Sequence, residues 1–142
     1  MYKKILVALD NTGADESLIE HILPLAKLHG SQLLLVHVAD GWGARHFKQL
    51  GLVESEEMKD DRRYLQDLAA RLGAAGISCQ THLALGDPPA EILKTAQEFP
   101  CDLIAMTTHG HRLIGDILFG STIDYVRHRT STPLLIVRAQ KR

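Results

Sequence analysis

Five short apolar runs punctuate the chain, and between them apolar residues recur at helical spacing. Lys4-Ile5-Leu6-Val7-Ala8-Leu9 is apolar almost without interruption, the pattern of a strand covered on both faces. Gln32 to Val38, Cys101 to Met106 and Thr132 to Arg138 read the same way. The run from Ile77 to Leu85 differs. Ile77, Cys79, Thr81, Leu83 and Leu85 alternate with Ser78, Gln80 and His82, which predicts a half-exposed edge strand. Four helices are predicted between the strands. In the first, Leu18, Ile22, Leu25 and Ala26 form the apolar stripe and Gly30 marks the stop. Pro24 lies inside it and predicts a kink, because proline lacks the amide donor. In the second, from about Glu54, Met58, Leu65, Leu68 and Leu72 share one face, Glu56 to Arg63 reads as the solvated face, and Gly73 and Gly76 end it. Residues 41 to about 52, just before it, show no clean period and read as a loop or partial helix. The third opens at Gly86-Asp87-Pro88-Pro89 with Asp87 as N-cap, buries Ile92, Leu93 and Ala96, and stops at Phe99-Pro100. The last runs from about Ser121 to Arg129, with Arg127, His128 and Arg129 at its negative end.

Strands that alternate with helices pair in parallel through right-handed crossovers. The expected fold is therefore α/β, a single doubly wound domain over residues 1–142. In such sheets ligands sit beyond the carboxyl ends of the strands, where the strand order reverses. Asp10 to Thr12, Val38 to Asp40 and Thr107 to Gly110 all fall at those ends. The stretch from Thr107 to Thr122 carries Gly110, Gly115 and Gly120, followed by Ser121 and Thr122. Glycine lets a ligand approach the backbone closely. A hydroxyl residue caps a helix whose first amides are unpaired donors at the positive end of its dipole. Such a loop suits an anion, phosphate above all.

Composition narrows the function classes. With 142 residues, 45% of them hydrophobic, 23% charged, and a net charge of -1, the chain suits one globular domain rather than a nucleic-acid backbone binder. No apolar run approaches the length of a membrane span. The first apolar run stops at Asp10, so it reads as a strand rather than a leader. Cys79 and Cys101 form no C-x-x-C and suit buried thiols in a reducing cytoplasm. Several motifs fail by residue. Gly110 to Ile117 has P-loop glycine spacing, but Asp116 replaces the lysine and Ile117 the hydroxyl residue. No nucleophile elbow exists. Asp10 lacks the acidic cluster and the lysine of a phosphoacceptor site. His109, His111 and His128 have no metal-motif spacing, so no metal ligand is assigned. His37, within a strand, reads as a hydrogen-bonded core histidine.

The Lys4–Asp10 opening, Leu34-Leu35-Val36-His37-Val38, the Gly86-Asp87-Pro88 turn and the Thr132–Val137 close resemble the universal stress protein family over essentially the whole chain. Gly110, nine residues, Gly120 and Ser121 match the spacing of its ATP-binding subgroup; Thr107 stands where that subgroup has its first glycine. The resemblance implies a Rossmann-like, adenine nucleotide alpha-hydrolase-like sheet of strand order 3-2-1-4-5. It also implies ATP, with ADP and AMP as alternatives, together with Mg2+. Asp10 would accept the ribose hydroxyls and the Val38 backbone would meet adenine. Ala8 and Met106 would wall the base, and Thr107, at the place of the first glycine, would approach a phosphate or the ribose. Gly110, Gly120, Ser121 and Thr122 would hold the phosphates. A homodimer through the hydrophobic strand Leu134–Val137 and an unidentified protein partner are further implications. Two alternatives stand beside nucleotide binding: a dimeric interaction module of the same fold in which Thr107 closes the site, and a slow ATP hydrolase; no catalytic residue is assigned, with Asp116 and His109 the candidates for hydrolysis.

Overall fold

The computed structural model describes residues 1–39, 56–108 and 122–140. Its strands are β1 (Lys4–Leu9), β2 (Gln32–Ala39), β3 (Cys79–Leu85), β4 (Leu103–Thr108) and β5 (Leu134–Arg138). They form one parallel sheet in the order β3-β2-β1-β4-β5, as expected. The helices are α1 (Ala14–His29), α2 (Glu56–Ala74), α3 (Pro88–Glu98) and α4, over residues 122–129.

The sheet separates two buried layers, and β1 supplies both. Ile5, Val7 and Leu9 pack with Leu18 and Ile22 of α1 and with Leu65 and Leu72 of α2. Leu6, between them, packs with Ile92 and Leu93 of α3 and Val126 of α4. Successive strand side chains point to opposite faces, so a strand covered on both must be apolar at every position. Ile5, Leu6 and Val7 are accordingly all fully buried. The same division holds in β2, with Leu33 and Leu35 against Leu34 and Val36, and in β4, with Leu103 and Ala105 against Ile104 and Met106.

The differences from expectation are local. α1 is one 16-residue helix with Pro24 in its interior, so the missing amide costs a bond and leaves the element whole. It closes at Gly30, whose φ of 62° is left-handed and favours glycine. β3, β4 and β5 each begin two residues later than the apolar runs suggest. The leading residues serve other bonds: the Ile77 amide donates to the Leu72 carbonyl, and Asp102 accepts from the amides of Lys3 and Lys4. β4 continues to Thr108 because Thr107 and Thr108 pair with Val137 and Arg138. β3 is an edge strand as expected, but Gln80 and Thr81 are both exposed, so neither face is covered at that point. Asp87 stands at the start of α3 without a side-chain capping bond; Pro89, at the second helical position, removes one of the two amides a cap would serve.

Burial sets very different costs for truncation. Ile5→Ala, fully buried, should lower unfolding free energy by about 2–5 kcal/mol. Leu28→Ala, at a position 79% exposed, should change it by less than about 0.5 kcal/mol. Urea denaturation of both variants checks the contrast.

Candidate functional site

Ala8 and Val38 are half-buried against the layer that contains Met106. The three expected apolar walls therefore share one face of the sheet, near its carboxyl end. Thr107 lies on the other face. It alternates in step with Leu103 and Ala105, is 3% exposed, and stands in register with Val137 of the α1–α2 layer. Its side chain thus points away from the Ala8, Val38 and Met106 face. Thr122 is buried in the first described turn of α4. Gly110, Gly120 and Ser121 lie outside the described residues, as do His109, Asp116 and the irregular stretch at 41–52.

Beyond the ends of β1 and β2 an open crevice of about 370 Å3 lies against α2. The strand ends contribute Asp10, Asn11, His37 and Val38, and α2 contributes Glu57, Asp60 and Asp61. Its described lining thus holds carboxylates at four positions and neither lysine nor arginine. Asp10 and Val38, read from separate segments of sequence, meet here. Among the described residues no group of His, Cys, Asp or Glu is arranged to hold a metal ion.

Beneath the crevice a buried carboxylate organises the loop between β1 and α1. Asp15, 1% exposed, accepts bonds from the Asp10 amide at 2.9 Å and the Asn11 amide at 2.9 Å. The Tyr64 hydroxyl of α2 donates to it at 2.6 Å. Burial pushes the Asp15 carboxyl above its ordinary value, and these donors pull against that shift. A second contact lies alongside: the Asn11 amide group donates to Asp61 at 2.9 Å. His37 joins it. Its Nδ1 stands 2.8 Å from the Leu9 carbonyl, which can only accept, so Nδ1 carries the hydrogen. Its Nε2 stands 3.3 Å from Asp61, an ion pair in the imidazolium form. His37 is thus hydrogen-bonded, as expected, and its exposed part faces the crevice.

Asn11 falls within the Asp10 to Thr12 segment expected at the strand ends, whereas Asp15, Tyr64 and Asp61 are not among the residues expected at the site. Asp15 looks like an ordinary acidic residue in a first helical turn. Asp61 corrects the expectation that Glu56 to Arg63 is wholly solvated: it is 5% exposed. A signal was available. Met58, Asp61, Leu65, Leu68 and Leu72 fall at spacings of three and four, so Asp61 occupies the apolar stripe where a leucine would be usual.

Comparison with known proteins follows the same outline. The family model described as the universal stress protein family matches residues 1–138. The universal stress protein MJ0577 of Methanocaldococcus jannaschii is 27% identical, over 97% of this chain and 96% of that protein. A solved structure of MJ0577 superimposes with a TM-score of 0.82 at 24% identity, covering 100% of this chain and 99% of that one. An Archaeoglobus fulgidus universal stress protein in complex with dAMP aligns at 0.70 and 21% identity, covering 96% and 98% of the two chains. A universal stress protein in complex with cAMP aligns at 0.70 and 19% identity, covering 98% of each.

The Tyr64 contact has a signature in alkali. Burial, then the neighbouring Asp15 charge, holds the Tyr64 hydroxyl far above the ordinary phenol value of 10.0. Above that value the unfolded chain loses the proton and the folded chain keeps it. The contribution is complete below about pH 10 and declines as pH rises further. In urea titrations, wild type should exceed Tyr64→Phe in stability at pH 8, and the margin should shrink between pH 10 and 11. A constant margin would contradict the assignment.

Proposed function

The chain belongs to the universal stress protein family, and from that footing we propose that it is an adenine-nucleotide-binding member, a cytoplasmic homodimer whose partners respond to the bound nucleotide. The observation that carries this reading is the pairing of two unlike surfaces at one end of the sheet. Ala8 and Val38, half-buried and backed by the buried Met106, offer an apolar face for a base, and the crevice beside them offers carboxylates to sugar hydroxyls. That arrangement also sets the ligand's direction. Phosphates would be repelled from a crevice lined by Asp10, Glu57, Asp60 and Asp61, so the nucleoside end belongs there. The phosphate end then falls to the glycine-containing segment, where Gly110, Gly120 and Ser121 precede Thr122 of α4.

Thr107 does not oppose this reading, because its side chain faces the α1–α2 layer and leaves the base-walling face clear. The relatives in complex with dAMP and with cAMP support an adenine base as the recognised group. ATP with Mg2+ is the form we assign, on the match of Gly110, Gly120 and Ser121 to the ATP-binding pattern; ADP and AMP would use the same nucleoside contacts. Dimerisation is assigned to β5. It is an edge strand among the described residues, Ile136 is 39% exposed, and a second copy of Leu134 to Val137 would pair its open backbone.

Isothermal titration with ATP, ADP and AMP in the presence of magnesium tests the reading. Wild type should bind saturably, and Asp10→Ala should weaken binding by about tenfold or more, the loss of a charge-assisted pair of bonds. Gly120→Val should abolish measurable binding of ATP while leaving the circular dichroism spectrum unchanged. Wild-type affinity in both variants would overturn the site assignment.

A further inference from the structure

We propose that Tyr64 and Asp15 are positioning residues for Asp10: they fix the loop that presents its carboxylate to the ribose, without belonging to the crevice lining. The inference rests on the adenine-nucleotide reading above and adds a specificity element on α2.

The Asp10–Asn11 turn needs external support. Asn11 has φ of 59°, in the left-handed region that residues with a side chain mostly avoid and asparagine among them tolerates better than most. Two consecutive amides, of Asp10 and Asn11, converge on the one Asp15 carboxylate. That carboxylate starts α1, so it ties the turn to the helix that follows. Its donors include the two amides and the Tyr64 hydroxyl. In a nearly water-free position, losing one donor leaves the carboxylate to seek another and loosens the amides it binds. Tyr64 reaches it from α2, one helical turn beyond Asp61, which grips the Asn11 side chain. The Asp10 backbone is therefore fixed from an element that follows it by some fifty residues in sequence, |i−j| of 49 for the Tyr64–Asp15 bond.

The consequence is selective. A loosened turn should weaken contacts made by Asp10 and leave contacts made elsewhere in the site. Tyr64→Phe removes only the hydroxyl and keeps the ring in the core; Asp15→Asn removes the charge and serves as the second variant. The probes are ATP and 2′,3′-dideoxy-ATP, which differ only in the ribose hydroxyls. For wild type, ATP should bind more tightly than the dideoxy analogue. Either variant should weaken ATP by about tenfold and change the analogue by less than about twofold. In the ligand-free protein, Tyr64→Phe should also speed hydrogen exchange at the Asp10 and Asn11 amides, with strand amides of β1 unchanged.

Equal weakening of both ligands, or no weakening of ATP, would overturn the positioning role while the nucleotide reading stands. A wild type that binds neither ligand would overturn the nucleotide reading and this proposal with it. Unchanged exchange at the Asp10 and Asn11 amides would remove the structural basis independently of any ligand.

Discussion

Ile5 and Leu6 are neighbours in sequence, point in opposite directions, and are both wholly buried. The rest of the molecule depends on that double burial. With a helix layer on each face, the central strand is apolar from Ile5 to Leu9 and has no polar side chain in its interior. Asp10 is the first residue beyond β1, and Asn11, Asp15 and the His37–Asp61 pair gather around the same end. The charged groups of the site collect there, while buried polar groups elsewhere, such as Ser31 and Thr95, are small hydroxyls bonded to backbone carbonyls. The strand order then determines which segments meet. β1 lies between β2 and β4, so the ends of three strands, bearing Asp10, Val38 and Met106, stand side by side at the point where the order reverses.

The polar assembly is stable because it is fully bonded. A carboxylate as buried as Asp15 would be costly alone, and its donors, among them the Asp10 and Asn11 amides and the Tyr64 hydroxyl, offset part of that cost. None of the described buried side-chain nitrogen or oxygen atoms lacks a partner. By contrast, the Arg71–Glu16 pair joins α2 to α1 with good geometry, yet both side chains are about half exposed, so it contributes little. What holds α2 in place is its apolar stripe. Asp61 and Tyr64 ride on that stripe and reach the loop as a result.

The strands and helices were legible because two-sided burial writes itself into sequence as continuous apolar runs. Their ends were less so: β4 reaches Thr108 through pairing with β5, a long-range contact that no local pattern announces. Asp10 and Val38 were singled out from their place at strand ends, and the structure brings both to one crevice. Asp15 and Tyr64 were not found, since their roles arise only when α2 packs across the loop. Asp61 was hidden inside a charged run, although its spacing relative to Met58 and Leu65 put it on the buried side. Thr107 illustrates the opposite limit. Its departure from the family glycine was visible in sequence, but the face it points to depends on the alternation within β4.

The most direct test of the account is to denature freshly purified protein and identify any released small molecule by chromatography and mass spectrometry, adding ATP with magnesium to the native protein if none is found. The account predicts an adenine nucleotide, carried through purification or taken up saturably from millimolar ATP. A protein that releases none and takes up none would contradict it.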